Sequence, residues 1–149
     1  MRHDMEMLLF CGLQGAGKTS FYQRHFAATH LRISMDMLRT RRREKAILSA
    51  CLACGQRCVI DNTNPSAAER AVYIQAARGK HFIVTGYWFD VPLTICLERN
   101  AARKGKARIS DVGLYAARAK LQPPALEEGF ARLYSVDAEG VTTLLAGPA

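Results

Sequence analysis

The amino-acid sequence predicts an α/β fold of three layers, in which a mostly parallel core sheet of five strands is covered by helices on both faces. Short apolar runs alternate with longer segments of helical periodicity, which is the pattern of strand–helix–strand units in a parallel sheet. Residues suited to ligand binding follow the apolar runs, namely Gly12, Asp36, Asp61 and Asp90. Because ligands of such sheets bind outside the carboxyl ends of the strands, we expect one site at that edge.

The elements are predicted in a regular order along the chain. Gly12 ends the first apolar run, Gly55 ends the second helix, and Pro92 suits the first turn of a later helix. The predicted strands cover residues 5–11, 31–34, 57–61, 80–89, 131–136 and 141–145. The predicted helices cover residues 18–29, 36–54, 65–78, 92–103 and 111–121.

Length and composition indicate a single domain over residues 1–149. The chain has 49% hydrophobic and 23% charged residues, values that are typical of a globular protein and exclude general disorder. No apolar run reaches the ~18 residues that a membrane helix needs. The apolar run 7–13 lacks a small-residue cleavage site behind it, so it is not interpreted as a signal peptide. We therefore expect a cytoplasmic protein with no membrane partner.

The five cysteines are interpreted as reduced residues of the core. Their number is odd and no export signal is recognised, so a disulfide framework is not expected. Cys51, Cys54 and Cys58 have a spacing that resembles metal ligands, but no fourth ligand is obvious and apolar residues surround them. Burial is the favoured interpretation because free cysteine is among the most buried residue types.

The chain is basic, with 21 Lys and Arg against 13 Asp and Glu and a net charge of +8. Much of the excess lies in two clusters, within residues 39–45 and 99–108. Such clusters favour polyanionic partners such as nucleotides or nucleic acid. For either cluster alone, a solvated basic helix face is an equally good explanation.

Residues 12–19 read GLQGAGKT and match the phosphate-binding pattern G-x-x-x-x-G-K-[ST], the P-loop, in full. The glycines let backbone N–H groups surround phosphate oxygens, and the following helix directs its positive end at the same anion. We expect Lys18 to reach the β- and γ-phosphates of ATP and the Thr19 hydroxyl to bind Mg²⁺. The residues expected to bind the nucleotide here are Gly12, Leu13, Gln14, Gly15, Ala16, Gly17, Lys18, Thr19 and Ser20.

Asp36 is the predicted general base. It follows the second strand, beside the expected phosphate site, where a carboxylate can accept the proton of an attacking hydroxyl. Arg39 lies three residues later, on the same face of a helical turn, and can bind a phosphate of the acceptor. The alternative is that Asp36 caps a helix and Arg39 is its exposed neighbour.

Asp61 and two arginines complete the predicted site. Asp61 ends the third strand, where a carboxylate commonly holds Mg²⁺ through water in P-loop proteins; the alternative is a turn over residues 62–64. Arg99 and Arg103 share one helix face, with Gly105 beyond them as a hinge. This arrangement suits a lid around residues 99–115 that closes over ATP, although a solvated basic helix is the alternative.

With these motifs the sequence resembles the polynucleotide 5′-kinase family in its kinase domain. The resemblance rests on the P-loop, the S-x-D-x-x-R element at 34–39, the DNTN stretch at 61–64, the segment 90–103 and the P…EGF element at 124–130. It implies that Asp36 is the general base, that Arg39 contacts the acceptor, and that Arg99 and Arg103 contact the ATP phosphates.

The sequence therefore predicts a kinase that uses ATP and Mg²⁺ to phosphorylate a hydroxyl, most readily the 5′-OH end of DNA or RNA. The residues expected to act in the chemistry are Lys18, Asp36, Arg39 and Arg103. Two alternatives stay open. One is a kinase for a small molecule such as a sugar, nucleoside or antibiotic, and the other is an ATP-binding module without transfer activity.

Overall fold

A computed structural model describes residues 5–105 and 108–148 of the chain. The strands are β1 (Glu6–Cys11), β2 (Leu31–Ile33), β3 (Cys58–Asp61), β4 (Ile83–Phe89), β5 (Arg132–Val136) and β6 (Thr142–Ala146). The helices are α1 (Lys18–His25), α2 (Met35–Leu38), α3 (Arg41–Cys54), α4 (Ala67–Gly79), α5 (Leu93–Ala101) and α6 (Asp111–Lys120), with a 3₁₀ turn at Leu126–Glu128. Within the described residues, no helix is long and apolar enough to cross a membrane.

The strands form one sheet in the order β2-β3-β1-β4-β5-β6. The first five pair in parallel, which confirms the predicted parallel core, and β6 adds an antiparallel sixth strand at the edge. Only a short turn joins β5 to β6, and Asp137 closes it by accepting hydrogen bonds from the N–H groups of Glu139 and Val141. A parallel return needs a far longer crossover, so the last strand can only run antiparallel.

Side chains of β1 alternate between the two faces of the sheet, and each face has its own apolar core. Met7 and Leu9 pack on the face covered by α3 and α4, whereas Leu8 and Phe10 pack on the opposite face. The ring of Phe10 lies 5.1 Å from that of Phe89, within a cluster of aromatic rings. Because both faces of β1 are buried, the strand fixes the position at which the glycine-rich turn begins.

The predicted helix over residues 36–54 is wrong, because the structure contains two helices there. Ser34 caps α2 by accepting a hydrogen bond from the Asp36 N–H, and Thr40 caps α3 in the same way from Arg43. Between them Arg39 has a φ of 73°, in the region that non-glycine residues rarely adopt. The helical spacing of Asp36 and Arg39 therefore does not apply. The predicted first helix is also shorter, ending at His25.

All five cysteines are free thiols. Four are buried, but the interpretation as core residues is wrong for Cys54, which is exposed on α3. Burial raises the pKa of Cys11 and of Cys58 to about 12, so both stay protonated. Among residues 5–105 and 108–148, no three or more His, Cys, Asp or Glu side chains are grouped to hold a metal ion.

Candidate active site

The glycine-rich turn between β1 and α1 is closely packed against neighbouring elements. A Cβ at Gly12 would lie 2.7 Å from the Cβ of Phe89, and one at Gly15 would lie 2.8 Å from the Cys96 carbonyl oxygen. Gly15 and Gly17 also have φ angles of 83° and 96°. Glycine is therefore required at position 12 by the lack of space, at position 17 by the backbone conformation, and at position 15 by both.

The side chain of Lys18 folds back over the glycine-rich turn. Its Nζ donates hydrogen bonds to the carbonyl oxygens of Gly12 and Leu13, at 2.7 and 2.8 Å. Burial lowers the pKa of Lys18 to about 8, and the carboxylate of Asp61 only partly opposes this effect. A bound anion would supply the opposite charge that this ammonium group lacks, so the geometry suits phosphate binding.

The structure brings together the two residues predicted to bind Mg²⁺. The Thr19 hydroxyl donates a hydrogen bond to Asp61 Oδ2 at 3.0 Å, because α1 begins beside the end of β3. Asp61 is only 4% exposed. A hydroxyl and a carboxylate are oxygen ligands of the type that Mg²⁺ takes from P-loop proteins, together with phosphates and waters. The pair therefore fits this metal.

Arg32 is a member of this site that the sequence reasoning missed. Its Nε donates to Asp61 Oδ2 at 2.8 Å, and its Nη2 donates to Thr19 Oγ1 at 3.2 Å and to Ser34 Oγ at 3.4 Å. Register places Arg32 of β2 opposite Val59 of β3. The available signal was an arginine inside a short strand of the predicted parallel sheet.

Asp36 lies on α2, and both Asp36 and Arg39 are exposed at the carboxyl edge of the sheet. The alternative in which Asp36 is the helix cap is wrong, since Ser34 caps this turn. α2 has only four residues, so its own hydrogen bonds cannot hold it in place. Its position must come from contacts with the rest of the chain.

A polar network around the buried side chain of Glu44 supplies those contacts. Asn62 Oδ1 accepts a hydrogen bond from the backbone N–H of Met35 at 2.9 Å, and Asn62 Nδ2 donates to Glu44 Oε2 at 2.8 Å. Glu44 Oε1 accepts from the Tyr73 hydroxyl at 2.8 Å and from Arg41 at 2.9 Å. Burial, helped by Glu44, raises the pKa of Tyr73 to about 12, so its hydroxyl stays a donor.

A second buried network connects the DNTN stretch to the P…EGF element. Arg70 is fully buried and forms two hydrogen bonds with the carboxylate of Glu128, at 2.8 and 3.0 Å. Its Nη1 donates to the carbonyl oxygens of Asn64 and Gln122. Burial alone would raise the pKa of Glu128, but hydrogen bonds from Arg70 and from the Ala125 N–H lower it. These two sequence elements therefore support each other structurally.

The guanidinium group of Arg99 contacts the backbone of the glycine-rich turn. Its Nη1 donates to the Gly15 carbonyl at 3.2 Å, and its Nη2 donates to the Ala138 carbonyl at 2.6 Å. Arg99 thus joins the P-loop to the turn between β5 and β6. Arg103 follows α5 and lines, together with Arg99, a cavity beside the glycine-rich turn.

The segment predicted as a lid includes residues 106 and 107, which lie outside the described residues. The buried side chain of Asn100 forms hydrogen bonds that connect the chain before residue 106 to the chain after residue 107. The side chain of Asn100 donates to the Ile109 carbonyl at 2.6 Å and accepts from the Ile109 N–H at 3.0 Å. These two hydrogen bonds fix the position of Ile109, two residues before α6 begins.

Two cavities flank the turn. One of about 250 Å³ is lined by residues 15–17 of the turn, by Arg24 and Arg103, and by residues 136–140. The other, of about 480 Å³, is lined by Leu13, Trp88, Arg118, Leu121 and residues 89–92, among others. The sequence reasoning did not find Trp88 or Arg118, because they come together only through the packing of α6 beside the end of β4.

Known proteins share this architecture. Kti12 of Chaetomium thermophilum, solved with ADP-AlF3, has a TM-score of 0.71 and 13% identity, with 88% of each chain covered. A sugar kinase of Janibacter sp. HTCC2649 has a TM-score of 0.66 and 17% identity, covering 91% of this chain and 86% of its own. A gluconokinase of Sinorhizobium meliloti 1021 has a TM-score of 0.63 and 16% identity, covering 92% and 85%. At these identities the likeness concerns the fold.

Sequence comparison points to the same class. A protein of Acanthamoeba polyphaga mimivirus, named as a bifunctional polynucleotide phosphatase/kinase, is 25% identical over 138 residues, which are 88% of this chain and 33% of that protein. This chain thus spans about a third of that relative's length. The family model described as AAA domain matches residues 7–124. The chain therefore belongs to this AAA-domain family of P-loop proteins and has a P-loop kinase-like α/β fold.

Proposed function

We propose that this protein transfers the γ-phosphoryl group of ATP to the 5′-hydroxyl end of a DNA or RNA strand. The observation that carries the proposal is the convergence of Lys18, Thr19 and Asp61 at the P-loop, with Asp36 exposed on the neighbouring turn at the same edge of the sheet. The name of the mimivirus relative supports the choice of acceptor.

The phosphates of ATP are bound by the backbone of the turn and by Lys18, whose ammonium group exchanges its carbonyl partners for phosphate oxygens. Thr19 and Asp61, whose side-chain oxygens lie 3.0 Å apart, are the residues that would hold Mg²⁺. When bound, the metal neutralises charge on the β- and γ-phosphates. The nucleoside lies in the cavity lined by residues 15–17 and 136–140.

Asp36 accepts the proton of the attacking hydroxyl. The hydroxyl oxygen forms a bond to the γ-phosphorus as the bond from that phosphorus to the β,γ-bridging oxygen breaks, and ADP leaves. Because Asp36 is exposed, it can release the proton to solvent. Arg39 and Arg103 are the cations that contact the acceptor phosphate and the developing charge, respectively.

The acceptor strand lies toward the basic surface beyond α2. Arg42, Arg43 and Lys45 are exposed on α3, directly after the turn that carries Asp36. The cavity with Trp88 and Arg118 offers an aromatic ring and a cation on the other side of the P-loop. Aromatic rings stack on bases and arginines bind backbone phosphates, so both surfaces suit a nucleic-acid end.

An acceptor screen with γ-labelled ATP tests the proposal. A 5′-hydroxyl oligonucleotide should take up label, whereas the same strand with a 5′-phosphate should not. Asp36→Asn should lower the rate by about 10²–10⁴-fold at unchanged ATP affinity. The exposed Glu127→Gln serves as the matched control and should keep full activity. Label transfer to a sugar or nucleoside instead of the oligonucleotide would show that the acceptor is a small molecule.

Salt dependence gives a second test of the acceptor. Contacts with strand phosphates release counterions, so the affinity for the oligonucleotide should fall steeply with salt. The double variant Arg42→Gln/Arg43→Gln should reduce that slope by about 1.4, at roughly 0.7 for each of the two phosphate contacts on a single strand. An unchanged slope would remove α3 from the acceptor site.

A further inference from the structure

The carboxylate of Asp61 is buried, and a buried carboxylate needs hydrogen-bond donors and a cation beside it. Arg32 supplies that cation through its Nε at 2.8 Å, and its side chain is only 18% exposed. A buried carboxylate without a cation is costly, whereas a paired and hydrogen-bonded one is tolerated. Arg32 therefore pairs with Asp61 and fixes the orientation of its carboxylate.

The same guanidinium contacts both oxygen atoms that fit Mg²⁺. Nε of Arg32 donates to Asp61 Oδ2, and Nη2 donates to Thr19 Oγ1 at 3.2 Å. A divalent cation on these oxygens would lie within a few ångströms of a positive group in a partly buried site. Repulsion between two such cations is strong there because water screens it weakly.

We propose that Arg32 is a positioning residue that competes with Mg²⁺ for Thr19 and Asp61. Arg32 holds the two ligands in place before the metal arrives and gives them up when it binds. Ser34 Oγ, 3.4 Å from Nη2, is a nearby oxygen that remains available to the displaced guanidinium. The inference rests on the proposed role of Thr19 and Asp61 as the metal-binding residues.

Metal affinity is the direct readout, and Mn²⁺ is the probe. We would titrate Mn²⁺ into the full chain with a non-hydrolysable ATP analogue kept below the protein concentration, and count free Mn²⁺ by electron paramagnetic resonance. Arg32→Gln keeps a hydrogen-bond donor but removes the charge, so it should bind Mn²⁺ about 10-fold more tightly than the wild type. Asp61→Asn should bind it more weakly.

Thermal denaturation guards against misfolding of the variant. Arg32→Gln should melt at a lower temperature than the wild type without metal, since Asp61 has lost its cation. Mn²⁺ with the analogue should raise the melting temperature of Arg32→Gln more than that of the wild type, because tighter binding to the folded state stabilises it more. Lys80→Gln removes an exposed charge at the end of α4 and should match the wild type in both measurements.

The possible results distinguish a failure of the proposed competition by Arg32 from a failure of the proposed metal site. Unchanged or weaker Mn²⁺ binding by Arg32→Gln, with weaker binding by Asp61→Asn, overturns the competition and leaves the metal site in place. Unchanged binding by Asp61→Asn overturns both the metal site and the inference. An equal gain in affinity for Lys80→Gln would show a general charge effect and would also overturn the role of Arg32.

Discussion

Two arginine–carboxylate pairs in this molecule have the same chemistry and different surroundings. Arg70 and Glu128 are joined by two hydrogen bonds, and the arginine is fully buried. Arg32 and Asp61 lie at the edge of the P-loop, and the arginine also contacts the hydroxyl of Thr19. The partners that surround a pair, more than the pair itself, decide whether it holds the fold together or can be exchanged for a ligand.

The two pairs differ because different groups can take the place of each arginine when its hydrogen bonds are lost. The remaining bonds of Arg70 go to the backbone carbonyls of Asn64 and Gln122, which would lose this donor together with the arginine. The atoms that Arg32 contacts are oxygens that a metal ion can also bind. Loss of a partner from a buried pair costs far more than the intact pair contributes. The two pairs should therefore respond differently to the same kind of substitution.

The largest effect is expected at the buried pair. Arg70→Met should lower the free energy of unfolding by about 3–5 kcal/mol, because it leaves Glu128 without its cation and two backbone carbonyls without their donor. Urea denaturation measures this loss, with the exposed Arg42→Met as control. ATP with Mg²⁺ should not selectively restore the variant. A loss below about 1 kcal/mol would contradict the structural role of the pair.

A smaller change in stability and a large change in rate are expected at the other pair. Asp61→Asn keeps an oxygen that can accept from Thr19 and Arg32, so the free energy of unfolding should change by about 1 kcal/mol. The rate of phosphoryl transfer should fall by about 100-fold, because the amide lacks the negative charge through which we propose that Asp61 binds the metal. Steady-state kinetics and denaturation together check this. Full activity, or unfolding as severe as in Arg70→Met, would break the comparison.

A third ion pair, between Arg41 and Glu44, extends the comparison of the first two. Glu44 binds Arg41 and Tyr73 and also holds Asn62, which anchors the backbone of Met35. Asn62→Ala should lower kcat by about 10-fold at unchanged KM for ATP, because the turn that carries Asp36 loses its anchor. The exposed Gln75→Ala on α4 is the control. A change confined to the KM for ATP would place Asn62 in nucleotide binding instead.

Much of the site could be predicted because its signals are local in sequence. The P-loop pattern lies within eight consecutive residues, and Asp61 was recognisable at the end of an apolar strand. The parallel core followed from the alternation of apolar and helical segments. These features depend on short-range periodicity and on the geometry of parallel sheets.

The missed features depend on contacts between distant segments or on competing local signals. Arg32 reaches Asp61 only because β2 pairs with β3, and Trp88 joins Arg118 only through the packing of α6. The break at Arg39 was missed because helix-forming residues flank it on both sides. Thr40 provides a second cap there, and a cap can override that propensity.

Lys18 is the cation that we propose binds the phosphates of ATP, and the rest of the proposed site is built around it. Its lowered pKa of about 8 means that part of the free protein lacks this charge at pH 8.5. The protonated form binds the anion, so affinity should be constant below pH 8 and fall as the pH rises above it. Binding at pH 8.5 should then be accompanied by the uptake of a substantial fraction of a proton per ATP.

Calorimetry of ATP binding at pH 8.5, in two buffers with different enthalpies of ionisation, measures this uptake directly. The wild type should take up the proton, and Lys18→Arg should bind without uptake because its guanidinium is always protonated. Failure of ATP to bind, or equal proton uptake by Lys18→Arg, would contradict the assignment of the P-loop lysine.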